Sequence, residues 1–278
     1  MPEVVMNAVI DDERSALVRV SVEKWDADQR TVGEDDVAEE IPVALEFNGI
    51  SHAVMLASPY DLEDFALGFS LSEGILKDKS EMYDCEVVPG CDGIQVQMEI
   101  ATERFVTLKD KRRNLTGRTG CGLCGAETLE QAIRRPKATV GTAMFSAEQI
   151  HAGMKLMKAQ QRMQRYTGAT HAAAWMNADG TVELVREDVG RHNALDKLIG
   201  AMAVRRLDFS TGAALITSRA SYEMVQKSAT LGIGFLAAIS APTSLAIKLA
   251  EESNVTLVGF VRDRSHVVYA QSHRLIRD

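Results

Sequence analysis

The second half of the chain carries the tightest constraint on its fold, because apolar β-type runs alternate there with amphipathic helical ones. Helical patterns at 191–202, 222–231 and 244–253 separate strand-like runs at 213–217, 235–239 and 255–260. Each strand must reach the next through a helix that covers one face of the sheet, so the expected layout is α/β with a largely parallel central sheet. Two more strands are expected at 171–176 and 181–185, around the turn Asn177-Ala178-Asp179-Gly180. Before them, Ser146 and Gln149 form a capping-box pattern, opening a helix whose Ile150, Met154 and Met157 share a face.

Upstream the pattern changes, and three parts are expected: a polar tail over 1–35, a smaller α+β lobe over 36–138, and the α/β domain over 139–278. The tail carries an edge strand at 16–22 and the acidic cluster Glu34-Asp35-Asp36. In the lobe, strands at 41–47 and 50–56 flank Asn48-Gly49, a two-residue hairpin signal. A helix then starts with Ser58 as cap and Pro59 in its first turn, carries the stripe Leu62, Phe65, Ala66 and Phe69, and ends at Gly74. Another strand is expected at 93–100. Cys85 and Cys91 read as small packing residues.

The lobe ends in Thr116-Gly117-Arg118-Thr119-Gly120-Cys121-Gly122-Leu123-Cys124-Gly125, preceded by Lys109, Lys111, Arg112 and Arg113. Four glycines permit positive φ and remove bulk, so an accessible loop is expected, followed by a short helix at 126–133. Nearby cations and a helix N-terminus both lower a thiol pKa, and the thiolate is the reactive form. Three readings stay open on these residues: half of a zinc site, a redox dithiol, or a carrier that holds sulfur as a persulfide. Zinc needs three or four ligands, and beyond Cys121 and Cys124 only His171 offers itself.

A net charge of −8 argues against a general nucleic-acid binder and requires any polyanion to meet a local basic patch. The chain has no apolar run long enough to cross a bilayer and no basic-then-apolar leader at Met1, so a cytoplasmic protein is expected. Ligands of open α/β sheets collect beyond the carboxyl ends of strands, here 217–219, 240–243 and 259–265. Small hydroxyl residues, arginines and helix N-termini converge there, which suits phosphate. The local readings remain open: Ser218 and Thr243 as caps, Glu223–Lys227 and His192–Asp196 as i,i+4 pairs, and Arg262 and Arg264 as solvated charges.

Taken in order, Glu39 to Leu45, Phe65 to Phe69, the Gly117 to Gly125 loop, Thr170 to Trp175, Glu187 to Lys197 and Ser218 to Met224 resemble one family. It is the FdhD/NarQ family of formate dehydrogenase accessory sulfurtransferases, and the resemblance runs from about residue 37 to the end. It implies a homodimeric sulfur carrier that takes sulfur from a cysteine desulfurase and passes it to the molybdenum cofactor. That cofactor, in its bis-molybdopterin guanine dinucleotide form, then enters the formate dehydrogenase catalytic subunit. The family's persulfide cysteine falls on Cys121, with no bound metal. Its cofactor-contacting segment falls on Phe260, Val261, Arg262, Asp263, Arg264 and Ser265, where GDP would mimic the nucleotide part; members often place Gly-Arg where this chain has Arg264-Ser265. The family's second domain is cytidine deaminase-like, which makes deaminase chemistry an alternative. Deaminases pair His-x-Glu with a later Pro-Cys-x-x-Cys, whereas His171-Ala172-Ala173 lacks the glutamate and follows the Cys-x-x-Cys. A cofactor-binding chaperone, the other alternative, would need 260–265 but not Cys121. Arg219, Arg262, Arg264, the helix starts near Ser218 and Thr243, and the basic run 109–113 are expected to supply the positive potential, with the thiol loop closing over the site.

Overall fold

A computed structural model describes residues 16–113, 136 and 139–276, without side-chain detail at 111–113. Cys121, Cys124, Arg118 and the helix expected at 126–133 lie outside them. In chain order the elements are β1 (Leu17–Asp26), β2 (Gln29–Ala38), β3 (Ile41–Phe47), β4 (Ile50–Ala57), α1 (Leu62–Ser72), β5 (Met82–Gly90), β6 (Gly93–Ile100) and α2 (Thr102–Arg113). After the undescribed stretch come β7 (Phe145–Ser146), α3 (Ala147–Gln160), α4 (Arg162–Thr167), β8 (His171–Asn177), β9 (Val182–Asp188), α5 (Arg191–Arg205) and β10 (Gly212–Ile216). The chain continues through α6 (Tyr222–Thr230), β11 (Phe235–Ala238), α7 (Ser244–Glu252), β12 (Thr256–Arg262), β13 (Ser265–Ala270) and β14 (Leu275–Ile276).

The larger sheet has strand order β13-β12-β11-β10-β8-β9 and is mixed. Only β10, β11 and β12 run parallel; β8, β9 and β13 are antiparallel to their neighbours. The expected crossover helices account for the parallel part, whereas β8–β9 and β12–β13 are hairpins, which short turns can only make antiparallel. Side chains alternate between the two faces. Ala173, Trp175, Ala214, Ile216, Leu236 and Leu257 face α5, α6 and α7, while Ala172, Ala174, Ala213, Leu215, Phe235 and Val258 face Ile150, Met154 and Met157 of α3. The capping box of α3 is formed: Ser146 Oγ accepts from the Gln149 N–H, and the Gln149 side chain accepts from the Ser146 N–H.

The smaller sheet, order β4-β3-β6-β5, includes the Asn48-Gly49 hairpin, with both turn residues at positive φ. Its inner face joins α1 and α5 in the same hydrophobic core as the larger sheet. The α1 helix starts three residues later than the sequence pattern suggests, at an Asp61 N-cap in the left-handed region. Ser58 is not the cap. It lies buried beneath the helix, its N–H donating to Asp188 Oδ2 (3.0 Å) and its hydroxyl accepting from the Val189 N–H (3.1 Å). The edge strand expected at 16–22 is β1, which pairs with β2 in a ribbon over residues 17–38, and Glu34-Asp35-Asp36 pair in register with Ser21, Val20 and Arg19. Cys85 is half-buried against the core, and burial pushes its thiol up to about 12; Cys91 is exposed.

Candidate functional site

The loops after β9, β10, β11 and β12 meet at one edge of the larger sheet, where β8 and β13 begin. Backbone bonds lace them together. The Thr217 N–H donates to the Ala172 carbonyl (3.0 Å), the Ala220 N–H to Ala241 (3.2 Å) and the Phe260 N–H to Ser240 (3.2 Å). Of the expected caps, Thr243 accepts from the Ala246 N–H at the start of α7 (3.3 Å). Ser218 instead donates to the Arg219 carbonyl, and the N-cap of α6 is Ser221, whose buried hydroxyl has no hydrogen-bond partner among the described residues.

Beside this edge a cleft of about 940 Å³ opens between α3 and the turn joining β12 to β13. Val261, Arg262, Asp263 and Arg264 of the expected cofactor-contacting segment line it, with Ile239 beneath; Phe260 and Ser265 flank the stretch without lining it. Arg262 pairs with Ser265 to close the turn, its Nε donates to the Ile239 carbonyl (3.3 Å), and its guanidinium lies over the Phe260 ring (5.9 Å). Two non-glycine residues here sit at positive φ, Phe260 (52°) and Asp263 (47°). Aspartate tolerates the left-handed region, whereas a bulky phenylalanine is strained in it. Strain of this kind concentrates where the surrounding structure holds a functional geometry.

The opposite wall comes from α3: Glu148, His151, Lys155 and Lys158. Four cations and two carboxylates, Glu148 and Asp263, therefore line the cleft, a local excess of two positive charges on a chain of net charge −8. Arg219 does not line it. Lys109 lies over the Phe105 ring, elsewhere on the molecule, so among the described residues the potential comes from α3 and the β12–β13 turn.

A second polar group occupies the sheet edge. His192 Nε2 is 2.7 Å from Glu223 Oε2, and His192 is the main reason the Glu223 carboxyl sits below its ordinary range. Burial, followed by the nearby Arg191 charge, holds His171 below the ordinary histidine value. The i,i+4 pairs expected on α5 and α6 are exchanged. Glu223 meets His192, while Lys227 turns inward to Asp196 (2.9 Å) and to Glu73 at the end of α1 (2.9 Å). Helical spacing made both sets available, and the packing of α1, α5 and α6 selects between them.

Three residues that matter to the cleft went unread in the sequence. His151, Lys155 and Lys158 are spaced i, i+4, i+7, one stripe of α3 beside its buried Ile150, Met154 and Met157, and that spacing was the available signal. Among the described residues no group of three or more His, Cys, Asp or Glu side chains is arranged to hold a metal ion. No described helix is long and apolar enough to cross a membrane.

Residues 38–276 match the profile of the FdhD/NarQ family. The chain is 57% identical over 274 residues to a protein named sulfur carrier protein FdhD from Cupriavidus necator, covering 99% of this chain and 95% of that one. A protein of the same name from Bordetella petrii is 55% identical over 241 residues, 87% of each chain. In structure, the chain resembles a crystal structure described as a formate dehydrogenase accessory protein from Desulfotalea psychrophila. The TM-score is 0.74 at 22% identity, covering 94% of this chain and all of that one, a likeness of fold.

Proposed function

The chain belongs to the FdhD/NarQ family, and we propose from that premise that it is a cytoplasmic sulfur carrier serving formate dehydrogenase. Cys121 accepts sulfur from a cysteine desulfurase and holds it as a persulfide. Its thiolate attacks the terminal sulfur of the donor persulfide, the new S–S bond forms on Cys121, and the desulfurase thiolate leaves with the electrons of the broken bond. The sulfur then passes to the molybdenum cofactor, whose guanine dinucleotide phosphates are held by Arg262 and Arg264 in the segment Phe260 to Ser265. The protein acts as a homodimer, and its larger sheet with the covering helices is the family's deaminase-like domain.

The observation that carries this reading, beyond family membership, is the cleft. On an acidic chain its lining has more cations than carboxylates, and it is bordered by a strained segment at the strand ends. Arginine offers phosphate a planar fork of donors, and Arg262 is already steadied by Ile239 and Phe260.

One set of measurements tests both halves. After treatment with a desulfurase and cysteine, intact-protein mass should rise by one sulfur atom in the parent and not in Cys121→Ala. Replacing Arg262 and Arg264 together by alanine should leave that gain intact while weakening GDP binding about tenfold or more, the scale of a lost charge-assisted contact. Sulfur loading of Cys121→Ala equal to the parent would move the carrier role off Cys121, and a parent that takes up no sulfur would leave the cofactor-chaperone reading. Unchanged GDP affinity in the arginine variant would move the nucleotide site elsewhere.

A further inference from the structure

We infer that the outer edge of β1 is the seam of the homodimer: two copies join there antiparallel, with Ser21 on the two-fold axis, and their ribbons become one four-stranded sheet. This rests on the homodimer proposed above and adds which surface makes it and in what register.

The β1–β2 ribbon is a separate two-stranded sheet, and two strands alone are only marginally stable in water. It leaves large apolar side chains uncovered: Trp25 is 63% exposed and Val32 74%, with Val18 and Val37 exposed beside them. Its two edges differ. The α4 helix packs against β2, whereas the outer edge of β1 pairs with no strand among the described residues. β1 is ten residues long, contains no proline and keeps an unbroken register with β2, so it lacks the proline or bulge that blunts an exposed edge. In an antiparallel pair, residues that exchange both backbone bonds alternate with residues that exchange none. The two-residue turn is closed by the bonded pair Asp26 and Gln29. The even-numbered residues of β1 therefore bond to β2, and Leu17, Arg19, Ser21, Glu23 and Trp25 offer their N–H and C=O groups to the free edge.

Those five residues form a self-complementary strand. A two-fold interface sets residue i against j and j against i. With Ser21 on the axis, each Arg19 faces the partner's Glu23 and each Leu17 faces the partner's Trp25, while on the other side of the sheet Val20 meets the partner's Val22. Opposite charges and apolar pairs directly across two strands stabilise them, and like charges destabilise them. The neighbouring registers lose this match. An axis at Val20 sets Arg19 against the partner's Ser21, and an axis at Val22 sets it against the partner's Trp25. Within the chain Arg19 bonds Asp36 (3.0 Å) and Glu23 bonds Arg30, yet both side chains stay more than half exposed, so each charge can serve a second partner.

Sedimentation equilibrium of the full chain at fixed low salt tests the seam. The parent should be a dimer. Arg19→Glu and Glu23→Arg each set like charges at both symmetric contacts and should weaken the dimer about tenfold or more. Mixed in equal amounts, the two variants should associate as strongly as the parent, because in the mixed pair an acid meets a base at both contacts. Asp36→Asn, which removes the partner of Arg19 within its own ribbon and leaves the seam alone, should dimerise as the parent does. A loss in Asp36→Asn as large as in Arg19→Glu would trace the effect to the ribbon's own fold and overturn the seam. Charge variants that dimerise like the parent, or that stay weak when mixed, would overturn it too while leaving the homodimer standing. A parent that sediments as a monomer would overturn both.

Discussion

At the scale of single residues, the buried polar groups are what the chain's chemistry most depends on. Lys197 and Asp188 form a fully buried ion pair (2.7 Å), and its remaining hydrogen-bonding capacity is used. Lys197 donates to the Ser58 carbonyl and lies over the Tyr60 ring, while Asp188 accepts from Ser58, Gly190 and Asn193. Pairing and satisfaction together are what make such burial tolerable. The string Glu187 to Lys197 was legible as a motif, yet its partner Ser58 lies more than a hundred residues upstream and reads locally as a helix cap. The histidines give a pH prediction. His171 and His266 both sit below the ordinary histidine value of about 6.5. As pH falls through that value the unfolded chain takes up protons before the native one does, so both groups reduce native stability toward acid. Thermal unfolding between pH 8 and pH 5 should therefore show a steeper acid loss for the parent than for His171→Asn/His266→Asn. Parallel curves would refute the assignment.

At the scale of elements, the closest packing is the crossing of α1 and α5. It works because a glycine faces backbone on each side: a methyl at Gly68 would collide with the Asp196 carbonyl, and one at Gly200 with the Asp64 carbonyl. No side-chain rotation relieves a clash between a Cβ and a backbone oxygen, so the helices would have to separate. Gly200→Ala should cost about 3 kcal/mol or more, the upper end of the overpacking range, despite alanine's better helix propensity. Gly33→Ala on the β1–β2 ribbon, where an added methyl would meet no atom within 4 Å among the described residues, should be near neutral, with both variants read by urea titration. The α1 helix was legible from its Leu62, Phe65, Ala66 and Phe69 stripe. The close crossing was not, since Gly68 in a helical run reads only as a weak position. Of the ribbon only β1 was legible, from its alternation over 16–22; β2 was not, because it carries mostly exposed polar residues and pairing rather than an apolar face defines it.

At the scale of the whole molecule, one core runs from the smaller sheet through α1 and α5 into the larger sheet. Polar ties cross the same boundary: Arg186 to Asp64 (2.7 Å), Asn193 to the Leu56 carbonyl (2.8 Å), and Lys227, itself paired with Asp196, to Glu73 and Ser72. Burial alone would lower the Lys227 pKa; Asp196 and Glu73 reverse this and keep the ammonium charged. We expect the parts at 36–138 and 139–278 to unfold together. With Trp25 replaced by phenylalanine, the fluorescence of the buried Trp175 should follow the same urea transition as circular dichroism. Lys227→Met should shift both probes equally, by about 3–5 kcal/mol, because Asp196 is left buried without its partner. The loss should shrink as pH falls, since burial already raises the Asp196 carboxyl above its ordinary range and a protonated acid no longer needs the lysine. Two separated transitions would mean the lobes are independent. Short-range physics was enough for the sequence to determine the Asn48-Gly49 hairpin, the Ser146 capping box, the alternation of helices with strands, and the strand ends where arginines gather. Each depends on residues a few positions apart. Only the tertiary structure decided that the sheet is mixed, that Lys227 turns inward while Glu223 meets His192, and that α3 brings Lys155 and Lys158 opposite Arg262 and Arg264. Those outcomes depend on which faces close over one another, and helical or strand spacing leaves several closures equally available until the core is packed.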